Sequence, residues 1–120
     1  MFRLDIVGLS STKRRDSDIV DLEGWKLFHS GCRPTPHAMA GVGILISPRL
    51  AEGVIDWIPV NMRIGVLNVK LYNRTLNFVQ VYAPNRESEY ESFLEELEGC
   101  LGEILDSEPV MLFCDFNSNV

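Results

Sequence analysis

Residues 63–82, RIGVLNVKLYNRTLNFVQVY, alternate apolar and polar side chains on both sides of one polar break. A period of two marks a half-buried strand, and two such runs around a short break form an antiparallel hairpin whose turn sets the register. The stretch therefore predicts strands at Ile64–Leu71 and 76–82, joined by a two-residue turn at Asn73-Arg74. The match of Asn73-Arg74-Thr75 to a glycosylation sequon is read as a hairpin tip.

Outward from the hairpin, short runs rich in Val, Ile and Leu predict further strands at 4–9, Trp25–His29, Val42–Ile46, 54–58 and 110–114. One helix is well marked. Ser88 followed by Glu91 fits a capping box, and Tyr90, Phe93, Leu94, Leu97, Leu101, Ile104 and Leu105 fall on one face. Pro109 ends this segment and opens the next strand. Residues 11–24 (STKRRDSDIVDLEG) are polar and read as a short helix or loop, and residues 31–41 (GCRPTPHAMAG) as loop. Mostly antiparallel strands with a helix packed on one side predict an α+β layer, because strand and helix do not alternate as in a doubly wound fold.

At 120 residues the chain fits a single domain, and 46% hydrophobic against 23% charged residues suits a buried core. No apolar run approaches the roughly 18 residues of a membrane span, and no basic leader precedes a cleavable apolar segment. A soluble, intracellular protein with no membrane partner is expected, with a nuclear location left open. Cys32, Cys100 and Cys114 form no C-x-x-C pair and leave an odd count, so reduced, buried thiols are expected rather than a disulfide framework or zinc site.

The net charge of -6 argues against nucleic acid until its distribution is considered. Nine of the 17 acids lie between residues 87 and 108, where no base occurs, which leaves eight acids against eleven Lys and Arg elsewhere. Acid is thus segregated onto the helix as a solvated face, and the remaining surface is free to meet phosphate.

Two strand ends carry candidate chemistry. On a strand, residues two apart share a side, so Asp115 and Asn117 are expected to face one way at the rim, where a carboxylate accepts a proton and a carboxamide orients an oxyanion. Read alone, D-F-N is better explained as a turn in which Asp115 caps the next segment. The second rim is QVYAPNRESE, where Tyr82, Asn85 and Arg86 converge as Pro84 breaks pairing.

The ordered set LDIVGL (4–9), TK (12–13), AGVGILIS (40–47), a hairpin ending VYAPN (81–85), an amphipathic helix and VMLFCDFN (110–117) resembles the DNase I-like endonuclease/exonuclease/phosphatase superfamily. It is most similar to the endonuclease domains of non-LTR retrotransposons, which accompany reverse transcriptases, and to the craniofacial development protein family. The resemblance implies a DNase I-like α/β sandwich of four layers, of which this chain holds about the first half, truncated at both ends. It implies that Asp115 activates the attacking water and that Asn117 holds the phosphate. Tyr82 would contact the scissile phosphate with Asn85 beside it, and Arg63 stands where relatives carry Arg. The implied reaction is Mg²⁺-assisted hydrolysis of a DNA phosphodiester.

The departures from the family pattern bear on activity. Relatives place a Glu magnesium ligand in an L-Q-E-T motif, whereas this chain reads Leu9-Ser10-Ser11-Thr12, and the neutral Ser11 is a poor ligand for a hard dication. Cys114 replaces the glycine of Gly-Asp-Phe-Asn and is expected to be a small buried residue. His29 and His37 precede the hairpin, do not align with the family's catalytic His, and are read as surface or packing residues. Lys13, Arg14 and Arg15 are read as a solvated loop. An impaired or inactive nuclease is the expectation, against a non-catalytic remnant that binds nucleic acid or protein. An uncovered sheet face is expected to support self-association.

Overall fold

A computed structural model describes residues 5–10, 18–30, 41–84, 86–104 and 108–116, the side chains of Ser10, Asp18, Asp115 and Phe116 excepted. In chain order the elements are β1 (Ile6–Ser10), β2 (Asp18–Leu22), β3 (Trp25–His29), β4 (Val42–Ile46), α1 (Pro48–Ala51), β5 (Val54–Asn61), β6 (Ile64–Leu71), β7 (Arg74–Ala83), α2 (Glu87–Gly102) and β8 (Val110–Phe116). The strands form two four-stranded sheets, ordered β1-β4-β3-β2 and β5-β6-β7-β8. The first is antiparallel throughout, and in the second only β7 and β8 run parallel. A parallel neighbour is beyond the reach of a tight turn, and α2 supplies the crossover. The architecture is mixed α+β, compatible with an α/β sandwich.

The decisive hairpin is covered on both faces. Leu67, Val69 and Phe78 meet Phe28, Ile44 and Ile46 of the first sheet, with Leu50 of α1 in the same cluster. Ile64, Val66, Val79, Val81 and Ala83 face the other way, against Phe93 of α2, with Tyr90, Leu97, Leu101 and Ile104 around it. The alternation that suggested one wet face is therefore answered differently. Asn77 is buried, receives the Asn68 amide on its Oδ1, and donates through Nδ2 to Glu108 Oε1 at 3.0 Å and to the Pro109 carbonyl at 3.3 Å. Buried amides persist when paired.

Several expectations are corrected. The hairpin turn is Tyr72-Asn73, not Asn73-Arg74: Leu71 pairs with Arg74, and both turn residues have positive φ, 51° and 64°. A two-residue loop with positive φ at both positions matches the right-handed twist of its strands. Residues 18–22 form β2 rather than a helix or loop. The Glu23-Gly24 turn, at φ 54° and 94°, returns the chain onto β3, and Asp21 Oδ1 accepts the Gly24 N–H at 2.9 Å. α2 begins at Glu87, with Arg86 in the cap position and no side-chain cap, so Ser88 lies inside the first turn. Leu94 is exposed rather than part of the packed face. Leu105 lies outside the described residues.

Close backbone approach explains one glycine. The Gly53 carbonyl accepts the Lys70 N–H at 2.7 Å, and a Cβ on Gly53 would stand 2.1 Å from the Lys70 carbonyl oxygen. Among the described residues, no helix is long and apolar enough to cross a membrane.

Candidate functional site

Parallel pairing sets the carboxyl ends of β7 and β8 side by side, with Tyr82 opposite Asp115 and Ala83 opposite Phe116. The start of β6 completes this rim. Arg63 precedes that strand, and its backbone N–H donates to Asn61 Oδ1 at 2.7 Å, an Asx-type turn that sets the strand's entry. The Arg63 carbonyl accepts the Tyr82 N–H at 2.9 Å, and Arg63 Nη1 donates to the Tyr82 carbonyl at 3.3 Å. The guanidinium carbon lies 5.5 Å from the centre of the Tyr82 ring. That geometry is a cation–π contact.

Tyr82 is 8% exposed and clusters with Val42 of β4, so its ring is held between the two sheets. Arg63 Nη2 stands 3.8 Å from Glu89 Oε2 in the first turn of α2. At that separation, with both side chains partly exposed, the pair is weak. A cavity of 240 Å³ opens beside Arg63 and is also lined by Met62, Pro84, Glu89, Phe93 and Glu96. Asn61 donates its side-chain amide to Glu96, tying the β5–β6 turn to the helix.

Of the residues singled out from sequence, Tyr82, Arg63 and the backbone of Asp115 are brought to one rim. Asn85, Asn117 and Ser11 lie outside the described residues, as do Cys32, His37 and Lys13 to Arg15. Sequence reading missed Glu89, which stands beside the Arg63 guanidinium, and Asn61, which accepts the Arg63 backbone N–H. The turn Asn61-Met62-Arg63 carried the signal for Asn61, whereas Glu89 was one acid among nine on an acidic segment.

Mg²⁺ takes about six oxygen ligands, usually with one or two carboxylates. The described rim carboxylates are Glu89, beside Arg63, and Glu96, bonded to Asn61. Among the described residues no group of three or more His, Cys, Asp or Glu converges. These residues do not fit Mg²⁺. His29 is buried in β3, in keeping with a packing residue. Cys114 is exposed rather than buried, and partial burial still raises its thiol pKa. Cys100 is raised first by burial and then by Glu103 and Glu96. Neither has the depressed pKa of a cysteine nucleophile.

No protein-family model matches the chain, and no curated protein matches it.

Proposed function

We propose that this chain is a retrotransposon-type DNase I-like endonuclease/exonuclease/phosphatase domain that holds a DNA phosphate at the Arg63–Tyr82 rim and hydrolyses it poorly. The observation that supports this most is the convergence of Arg63, Tyr82 and Asp115 at one sheet end from three separate strand termini. A guanidinium fixed over a phenol presents charge-assisted donors to a phosphate oxygen, and parting from Glu89 costs little. In this reading the Tyr82 hydroxyl contacts the phosphate, Asn85 and Asn117 orient it, and Asp115 accepts the proton of the attacking water. In the same reading Ser11, where relatives carry Glu, lowers both Mg²⁺ affinity and turnover.

Cleavage of supercoiled plasmid with Mg²⁺ or Mn²⁺ tests the reading, comparing the chain with Ser11→Glu and Asp115→Ala. Little cleavage by the unmodified chain, a gain in Ser11→Glu and salt-sensitive DNA binding weakened in Arg63→Ala are expected. Robust cleavage abolished by Asp115→Ala would overturn the impairment. Absence of DNA binding would overturn the phosphate site.

A second reading, self-association, is favoured by β8. Val110, Met111 and Leu112 are 40%, 48% and 45% exposed, and the strand has no bulge or proline. The opposite edge, β5, carries Pro59 and two register shifts, features that block edge pairing. Antiparallel pairing of β8 with its copy would cover these residues. Sedimentation showing no concentration-dependent dimer, or one unaffected by Leu112→Lys, would exclude it.

A further inference from the structure

On the face of the second sheet that carries α2, the helix packs over β6 and β7 and reaches β5 at Asn61, leaving the middle of β5 bare. Ile55 and Ile58 are 56% and 43% exposed there, and Val60 is exposed beside them. A groove of 380 Å³ runs between this apolar wall and Cys100, Glu103 and Ile104 of the opposing helical segment. Val66, Asn68 and Asn77 form part of the floor, where the two amides bond each other and Asn77 also bonds Glu108. The floor is thus a built surface, with its described amide groups already paired.

The charges on the described lining have one sign. Asp56, Glu103 and Glu108 line the groove, and no Lys or Arg is among the described lining residues. The nearest base along β6, Lys70, is two residues beyond Asn68. Burial raises the Cys100 thiol pKa, and Glu103 of the same lining adds to that shift. A phosphate backbone is repelled here, while a cation with an apolar body satisfies both wall and rim.

The shape narrows the occupant further. Pro59 and the register shifts of β5 discourage an added strand, so backbone pairing along this edge is disfavoured. The open space lies on the sheet face beside α2, where an occupant makes side-chain contacts rather than strand pairing, as an amphipathic helix in a groove does. We propose that the groove between β5 and the carboxyl-terminal part of α2 is a docking site for a basic amphipathic helix of a partner protein. Its apolar stripe would cover Ile55, Ile58 and Val60, and its Lys or Arg residues would meet Asp56 and Glu103. The site lies on the opposite side of the second sheet from Tyr82 and does not depend on the phosphate-binding reading.

The test uses a fluorescein-labelled amphipathic peptide, acetyl-KLLRKILKLLRK-amide, in anisotropy titrations against the full chain, with a second peptide in which Glu replaces every Lys and Arg. The basic peptide is expected to bind, and the acidic one to bind at least about tenfold more weakly. The double variant Asp56→Asn, Glu103→Gln should weaken binding about tenfold, and Ile58→Lys should weaken it further. Glu91→Gln with Glu98→Gln removes the same charge from the opposite face of α2 and should change affinity less than about twofold. Circular dichroism confirms that each variant is folded, and shifts of the Asn68 and Asn77 side-chain amide resonances report occupancy independently of the variants. Equal binding of the acidic peptide, equal loss in the two double variants, or no amide shift at saturation would each overturn the proposal, as would absence of binding at about 1 mM peptide.

Discussion

Arg63 grips Tyr82 through both backbone and side chain: its carbonyl accepts the tyrosine N–H at 2.9 Å, its guanidinium donates to the tyrosine carbonyl at 3.3 Å, and that guanidinium lies over the ring. One cation thus serves as structural clamp and as a partly exposed positive group of the rim. Arg63→Ala is expected to lower stability by about 1–2 kcal/mol, combining a lost cation–π contact and hydrogen bond. It should also reduce DNA affinity. Arg63→Lys should recover part of the affinity but less of the stability, because an ammonium lacks the planar fork. Urea denaturation and DNA anisotropy on the same preparations separate the two effects.

Tyr72 occupies a positive-φ turn position while 90% exposed, so its side chain contributes strain without burial. Tyr72→Asn combined with Asn73→Gly installs the dipeptide this turn favours. The pair should raise stability by about 1 kcal/mol, read as a higher urea midpoint at unchanged slope.

Two glycine replacements should move stability in opposite directions. At Gly53 an added Cβ meets the Lys70 carbonyl oxygen, whereas at Gly99, within α2, it meets nothing within 4 Å. Gly53→Ala should cost about 2–4 kcal/mol and Gly99→Ala should stabilise by about 0.5–1 kcal/mol. Thermal unfolding of the two single variants compares them directly.

Asn77→Ala leaves the Asn68 amide and the Glu108 carboxylate without a shared partner in the groove floor. A loss of about 2 kcal/mol is expected by chemical denaturation. Asn77→Asp, which keeps the shape but adds a negative charge beside Glu108, should be no better.

Thiol chemistry gives a pH-dependent check. Burial raises the pKa of Cys114, so its thiolate fraction at any pH below that midpoint is smaller than that of an unperturbed cysteine. Iodoacetamide should alkylate Cys114 more slowly than it alkylates free cysteine at pH 8, and the rate should climb as pH rises. Cys100, with Glu103 and Glu96 adding to its burial, should behave likewise.

Periodicity over residues 63–82, together with the apolar run at 110–114, was sufficient for the hairpin strands and the strand that joins them, because alternation and strand-forming residues are local properties. Boundaries set by turn geometry were less legible. The slip from Tyr72-Asn73 to Asn73-Arg74 arose because Asn and Arg resemble a loop more than Tyr does, while the observed pairing of Leu71 with Arg74 keeps both faces of the hairpin packed. β2 went unread because Asp18 and Asp21 make residues 18–22 look polar, and only pairing with β3 gives them strand form.

At the rim, residue types suggested that Tyr82, Arg63 and Asp115 belong together, but their adjacency required the parallel register of β7 and β8 and the return of β6 beside β7. Those relationships join residues far apart in the chain, and long-range pairing is selected by the packing of two cores at once. Burial of Asn77 and exposure of Cys114 have the same origin. Side-chain polarity states what a residue favours in isolation, while the position of its strand, interior or edge, decides whether a partner and a cover are present to answer it.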